Sequence, residues 1–225
     1  MLKDRVQKIE ELIDISMLNR GYERYVEYAF VWKYLSMLLV LPKKLRSKIK
    51  ILDVGGAESR LSKTLAGLGF DVTVIDIHED DYGKARFVKE NILTYEFPEG
   101  YFDVIIAIST IEHVGLPCYK QAILSHDGDI IAMTKIYRWL KLGGIALVTL
   151  PYGKPHHPPE FERVYNLQSL QERILCCRWE IIEVRFARQS DDDPHVFIDC
   201  SEEEARNYDA VVLLALRKYW KMGYV

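Results

Sequence analysis

The feature that most constrains the fold is an apolar run that ends in an acid and turns into a helix, Ile51 to Arg60 (ILDVGGAESR). The next apolar run, Phe70 to Ile75, is followed directly by another acid, Asp76. A strand, a tight turn, a helix and a second strand make a βαβ unit, whose two strands lie parallel in one sheet. Because ligands of open sheets bind beyond the carboxyl ends of the strands, the turn after the first strand is the predicted binding site.

Later apolar runs extend the pattern. The first of the two strands already described covers Lys50 to Val54. The further predicted strands are Arg86 to Lys89, Phe102 to Ile108, Ile145 to Leu150, Trp179 to Arg188 and Asp209 to Leu216. Helical spacing of apolar residues predicts helices over about 59–68, 129–141 and 166–176. This alternation predicts an α/β fold: a Rossmann-like, doubly wound, mostly parallel seven-stranded sheet with the last strand antiparallel, plus N-terminal helices.

Two helices are predicted ahead of the first strand, over residues 4–20 and 22–41. Aromatic residues recur at helical spacing from Tyr22 to Tyr34, which favours packing on the domain or on a second copy of the chain. An aromatic lid over a substrate is the alternative. We expect residues 1–49 to form a helical extension packed on the core, and a homodimer through these helices is a further expectation. Residues 50–225 would form the main domain, with 152–175 as a substrate-side insertion.

Composition narrows the function classes. The 225 residues are 49% hydrophobic and carry a formal net charge of −3, which argues against general nucleic-acid binding. The segment from Met1 to Glu11 is charged, unlike a signal peptide, and the longest apolar stretch, Leu35 to Leu41, is too short to span a bilayer. The four cysteines lack paired metal-ligand spacing. A reduced, cytoplasmic protein without a transmembrane segment is therefore expected.

The composition of the turn indicates which ligand it accepts. The sequence Gly55-Gly56-Ala57-Glu58-Ser59 matches neither the G-x-G-x-x-G of dinucleotide sites nor a P-loop. Asp53 and Glu58 would repel a pyrophosphate and would suit a cationic ligand. S-adenosylmethionine, which has an ammonium group, a sulfonium and no phosphate, fits, and Asp76 is placed to accept hydrogen bonds from its ribose. The alternative is that the two glycines merely make a tight turn.

Several ordered pieces resemble the class I S-adenosylmethionine-dependent methyltransferases. They are Ile51 to Ser59, Val74 to Ile77 (VIDI), Lys89 to Ile92 (KENI), Phe102 to Val114 (FDVIIAISTIEHV) and Leu140 to Tyr152 (LKLGGIALVTLPY). The resemblance implies a cofactor site made of Asp53, Gly55, Gly56, Ala57, Asp76, Ile77, Asn91, Ile92 and Ser109. In it Asp76 would bind the ribose, Ile77 would pack on the adenine and Asn91 would meet its amino group. Ala57 and Asn91 depart from the family pattern, which has a second glycine and an aspartate at these places.

The catalytic candidates follow the fourth strand. Transfer to a hydroxyl or an ammonium needs a base that removes a proton, and His113 has a reference pKa near neutrality. Glu112, which precedes it, is expected to bind substrate or to orient a neighbouring residue. The alternative is that this pair only shapes the loop around the methionine part of the cofactor.

The acceptor candidates are Tyr152, His156 and His157, in the proline-rich segment after the fifth strand. A solvated loop is the alternative. The two histidines lack a clear third ligand, and Asp191, Asp192 and Asp193 look like a solvated turn, so no metal site is expected.

The function predicted is methyl transfer from S-adenosylmethionine to a small-molecule acceptor, namely a hydroxyl of a sugar or glycan precursor. The alternatives are a methyltransferase of RNA or protein and a non-catalytic nucleoside-binding partner subunit. An NAD-dependent oxidoreductase is disfavoured. Its catalytic set would be Ser125, Tyr137 and Lys141, but the glycine-rich turn that it needs is missing.

Overall fold

The computed structural model describes residues 23–57, 60–193 and 195–219. The helix predicted over residues 4–20 lies outside this part of the chain, as do Glu58 and Ser59 of the turn. Within the described residues no helix combines the length and the apolar character that crossing a membrane requires.

An α/β sheet of eight strands forms the centre of the molecule, in the order β3-β2-β1-β4-β5-β8-β6-β7. The strands are β1 (Lys50–Val54), β2 (Asp71–Asp76), β3 (Arg86–Lys89), β4 (Phe102–Ile108), β5 (Leu140–Gly153), β6 (Trp179–Gln189), β7 (Phe197–Cys200) and β8 (Asp209–Lys218). The five strands from β3 to β5 pair in parallel. The last strand in sequence, β8, is antiparallel to β5 and to β6, as predicted. The Rossmann-like fold class is confirmed.

The predicted number of seven strands is one too low. β7 is an additional edge strand that pairs antiparallel with β6, from Phe186 opposite Cys200 to Gln189 opposite Phe197. It has only four residues and follows an acidic turn, so its own sequence carries little periodicity. The strand is stabilised by its pairing with β6, which its local sequence does not indicate.

The helices are shorter than the sequence predicted. They are α1 (Arg24–Leu35), which continues as a 3₁₀ turn (Ser36–Val40), α2 (Lys43–Arg46), α3 (Leu61–Gly67), α4 (Gly128–Trp139), α5 (Leu167–Ser169), which continues as a π turn (Leu170–Ile174), and α6 (Glu202–Ala205). A 3₁₀ turn, Ile111–His113, follows β4.

The core has two halves, one on each face of the sheet. Ala132, Met133 and Ile136 of α4 pack on one face. On the other, Phe30 and Val31 of α1 join a separate cluster that includes α3. The sheet is therefore covered by helices on both sides, as its apolar strands require.

Helix α1 is attached to the far edge of the sheet by polar contacts as well. The Tyr25 hydroxyl donates a hydrogen bond to the Phe197 carbonyl (2.9 Å) on β7, and the Tyr34 hydroxyl donates to Glu183 (2.5 Å) on β6. Lys33 pairs with the same Glu183 carboxylate (2.6 Å). These contacts fix the direction of α1, whose first turns reach the carboxyl ends of the central strands.

Candidate active site

A cavity of ≈ 520 Å³ lies at the carboxyl ends of β1, β2 and β4, where the sequence placed a ligand. This volume is within the range of small-molecule and cofactor sites. The predicted site residues that line it are Asp53, Gly55, Ala57, Asp76, Ile77, Asn91, Ile92, Ser109 and His113. Arg24 and Tyr28 of α1 line it as well, so the N-terminal helix contributes one wall.

The two glycines of the turn are required by close packing. Gly55 has a φ of +70°, and a Cβ there would lie 2.2 Å from Cγ2 of Thr110. A Cβ on Gly56 would lie 2.9 Å from an oxygen of Asp53 and 2.8 Å from Cγ1 of Val74. Gly56 itself does not line the cavity; its role is to let the turn approach Asp53.

Ala57 causes no backbone strain. Among the described non-glycine residues, positive φ is confined to Ser109, Tyr119 and Lys120, so Ala57 has a φ that L-residues ordinarily adopt. Its amide donates a hydrogen bond to Oδ2 of Asp76 (2.8 Å), and the His78 amide donates to Oδ1 of the same carboxylate (2.7 Å). Asp76 therefore holds the turn in place, and because it also lines the cavity, the second lone pair of each oxygen remains for a ligand.

Asp53 is buried below the turn, with 3% of its surface exposed. Burial raises the pKa of Asp53 from 3.8 to about 7. The Ser62 hydroxyl donates a hydrogen bond to this carboxyl group (2.6 Å), which lowers the pKa and offsets part of the effect of burial. The carboxyl group is thus poised to ionise when a cation comes near.

Asn91 and Ile92 form the wall of the cavity beyond β3. Oδ1 of Asn91 accepts a hydrogen bond from the Leu93 amide (2.9 Å), which is an Asx turn. The side chain therefore shapes the loop, and only its second oxygen lone pair and its amino group remain for a ligand. Ile92 is 7% exposed and supplies apolar surface.

His113 and Glu112 share the 3₁₀ turn after β4. Nδ1 of His113 lies 2.7 Å from the Phe161 carbonyl, which can only accept, so Nδ1 carries the proton and Nε2 has a free lone pair. Nε2 lies 3.8 Å from Oε1 of Glu112, whose two carboxyl oxygens are buried without hydrogen-bond partners. Burial lowers the pKa of His113 to about 4 and raises the pKa of Glu112 well above its usual range. At neutral pH His113 is therefore uncharged.

A third carboxyl group, Glu27 of α1, reaches the same region. It is fully buried and accepts hydrogen bonds from the Ser109 hydroxyl (2.7 Å), the Thr149 hydroxyl (2.5 Å) and Arg24 (2.9 Å). Ser109, expected at the cofactor, is thus already engaged on one side. Glu27 was not predicted from the sequence, because nothing local distinguishes it from Glu23, the other acid of the same aromatic helical stretch.

The acceptor candidates lie outside the cavity. Tyr152 is 1% exposed, packs on Phe186 and donates a hydrogen bond to Glu202, so it belongs to the core. His156 and His157 lie next to each other in the loop after β5, with ring centroids 4.2 Å apart. Glu162 supplies the third candidate ligand that the sequence lacked, since ligand atoms of the two histidines and Glu162 lie within 4.8 Å of one another.

The oxidoreductase set is not assembled. Tyr137 packs edge-on against Trp179 (4.9 Å) and Lys141 pairs with Asp103 (2.7 Å). Neither residue lines the cavity, nor does Ser125.

The cavity suits a cationic nucleoside. Its lining includes one arginine, Arg24, and five acidic residues, Asp53, Asp76, Glu79, Asp80 and Glu90. Such a lining would repel a pyrophosphate and favours a ligand with an ammonium and a sulfonium. The residues present therefore fit S-adenosylmethionine, and the dinucleotide alternative is disfavoured on electrostatic grounds.

Known proteins of related sequence and structure include several methyltransferases. The family model described as "Methyltransferase domain" matches residues 22–180. A ubiquinone biosynthesis O-methyltransferase of Rickettsia akari is 39% identical over 79 residues, 31% of this chain and 32% of the relative. An eEF1A lysine and N-terminal methyltransferase of Mus musculus is 33% identical over 140 residues, 56% of this chain and 20% of the relative. The chain thus spans about a third of the first relative and a fifth of the second.

Among solved structures, the 1,6-didemethyltoxoflavin-N1-methyltransferase of Burkholderia thailandensis superimposes with a TM-score of 0.60 at 14% identity, covering 97% of this chain and 87% of that one. At this identity the likeness shows the shared fold. The family match covers more than half of the chain and includes the acidic cavity and the turn that forms it. The chain therefore belongs to the methyltransferase-domain family.

Proposed function

We propose that the chain methylates a hydroxyl group of a small ring-shaped acceptor, of the sugar or glycan-precursor class. The observation that carries this proposal is the state of His113. It lines the cofactor cavity, its Nδ1 is fixed by the Phe161 carbonyl, and its Nε2 is left as a proton acceptor. A hydroxyl acceptor needs such a base, since its proton must leave as the new bond forms.

We assign cofactor binding to the residues of the cavity itself. Asp76 would hold the ribose, Ile77 and Ile92 would contact the adenine, and Asp53 with the Gly55 turn would face the methionine part. S-adenosylmethionine supplies an activated methyl group on a sulfonium, so the chain has to align the acceptor and take up its proton. Burial keeps His113 unprotonated at neutral pH, ready to accept that proton.

Aromatic side chains on the acceptor side support a ring-shaped substrate. Tyr119 and His113 both line the cavity, with ring centroids 5.1 Å apart, and Phe161 packs against each of them at 5.5 and 5.0 Å. Aromatic faces bind the apolar faces of sugars and other rings. Similarity to a relative named an O-methyltransferase agrees with an oxygen acceptor.

A second candidate is transfer to an amine, as in a protein methyltransferase. Glu112 favours it, because a buried carboxyl group without a partner is a ready counter-charge for an ammonium. Similarity to a relative named a lysine and N-terminal methyltransferase agrees with this candidate.

The pH dependence of turnover distinguishes the two acceptors. For a hydroxyl whose proton passes to His113, turnover should be flat above about pH 5 and should fall as His113 becomes protonated near pH 4. For a lysine-like amine, turnover should rise about tenfold per pH unit up to the amine's own pKa of about 10. S-adenosylhomocysteine production would be measured with sugar, phenol and peptide-amine acceptors.

Variants complete the test. His113→Asn should depress turnover with a sugar or phenol acceptor by about 10²–10⁴-fold, while S-adenosylhomocysteine binds as in the wild type. The matched control is His126→Asn, whose side chain is exposed and lies outside the cofactor cavity. Unchanged turnover in His113→Asn would remove His113 as the base, and activity with peptide amines alone would replace the hydroxyl acceptor.

A further inference from the structure

We propose that His156, His157 and Glu162 bind one divalent transition-metal ion, Zn²⁺ in the first instance. Their ligand atoms lie within 4.8 Å of one another, although His156 and Glu162 are six residues apart along an irregular loop. Two imidazoles and one carboxylate are the donor set of many zinc sites with three protein ligands. The site lies outside the cofactor cavity, and the proposal does not depend on which acceptor is methylated.

The burial of Glu162 independently favours a bound cation. It is 6% exposed, and its Oε1 is buried with no hydrogen-bond partner. That same oxygen lies 3.8 Å from Nε2 of His156. Two ligand atoms at tetrahedral angles on one zinc are about 3.3 Å apart, so a shift of about half an ångström would let both bind the ion. A buried orphaned carboxylate oxygen is costly, and a cation is the partner that removes the cost.

Asp209, at the start of β8, completes the arrangement. Its Oδ1 lies 3.1 Å from Nδ1 of His156, on the opposite side of the ring from Glu162. A carboxylate beside the distal ring nitrogen fixes the orientation of a metal-binding histidine and increases its basicity. Asp209 is therefore a positioning residue, which would hold His156 with Nε2 towards the ion.

Access and an open coordination position are both available. His156 and His157 are exposed, so an ion can enter from solvent. Three protein ligands leave a fourth position for water or for an acceptor oxygen. The ring of His157 contacts Phe161 (4.9 Å), which contacts His113 (5.0 Å), so a single aromatic ring separates the site from the proposed base.

The test is calorimetric titration of the tag-free full chain with Zn²⁺ after treatment with a chelator, with bound metal counted by mass spectrometry. One Zn²⁺ per chain is expected. His157→Ala and Glu162→Gln should each lose this binding, while His195→Ala, which removes a histidine outside the cluster, should keep it. Asp209→Asn should weaken binding by about 10–100-fold, the effect expected of a positioning carboxylate.

Thermal unfolding provides the second readout. Zn²⁺ should raise the midpoint of the wild type in a concentration-dependent way and leave that of Glu162→Gln unchanged. Circular dichroism identifies any variant that fails to fold. If His157→Ala fails to fold, Zn²⁺ binding by the conservative variant Glu162→Gln decides the outcome. Absence of Zn²⁺ binding by the wild type, or equal binding by the wild type and both ligand variants, would overturn the proposal.

Discussion

Replacing Asp53 by Asn should change the stability relative to the wild type by an amount that depends on pH and favours the variant increasingly as the pH rises. Asp53 is 3% exposed, and burial raises its pKa from 3.8 to about 7. The folded state therefore keeps the proton over a range in which the unfolded state has lost it. The stability associated with the neutral carboxyl is fully present below pH 3.8 and is lost as the pH rises to about 7.

The magnitude follows from the two pKa values. Their difference corresponds to about 4 kcal/mol of unfolding free energy over the whole range, of which about 2.6 kcal/mol is lost between pH 5 and pH 8. Asn cannot ionise and keeps an oxygen that can accept the hydrogen bond from Ser62. The stability of Asp53→Asn relative to the wild type should therefore increase by about 2.6 kcal/mol over that interval.

Urea denaturation of both proteins at pH 5, 6, 7 and 8 would measure this difference. The control is Asp199→Asn, an aspartate 66% exposed and paired with Arg185, which should change stability by less than about 0.5 kcal/mol. If the difference in stability between Asp53→Asn and the wild type did not depend on pH, the inference that burial disfavours the charged form of Asp53 would be refuted.

Two further substitutions test the geometry of the site. Gly55→Ala should destabilise the fold by at least about 1–2 kcal/mol, because its φ of +70° is unfavourable for Ala and the new Cβ would meet Thr110; an unchanged urea midpoint would contradict this. Glu27→Ala should cost about 1.5–3 kcal/mol, because the hydroxyls of Ser109 and Thr149 lose a charged acceptor. Glu27→Gln, which retains an acceptor oxygen, should recover part of that loss in thermal unfolding, and equal losses in the two variants would exclude the hydrogen-bond explanation.

The central sheet could be predicted from the sequence because its signals are local. The predicted bounds of β1, β3 and β4 agree with the structure, since in each strand apolar residues are bounded by polar or turn residues. The cavity position was predictable as well, because the carboxyl ends of parallel strands define it. The same reasoning could not find β7, whose order depends on pairing with β6.

The positions of the acidic residues Glu27 and Glu162 depend on contacts between parts of the chain that are distant in sequence. Glu27 contacts Thr149, 122 residues later, and no local pattern marks this pair. Glu162 lies among prolines and charges that favour a loop, so its burial beside His156 follows only from the folded arrangement. The sequence predicts a fifth strand that ends at Leu150 and so leaves Tyr152 on the substrate side, whereas β5 extends to Gly153 and places Tyr152 in the core.

Cofactor binding at Asp76 is the central claim, and calorimetric titration with S-adenosylhomocysteine tests it most directly. The wild type should bind one molecule per chain and should not bind NAD. Asp76→Ala should weaken binding by about 10–100-fold, since a charge-assisted acceptor contributes about 1.5–3 kcal/mol. Binding of NAD instead of S-adenosylhomocysteine, or unchanged affinity in Asp76→Ala, would contradict the assignment of this cavity.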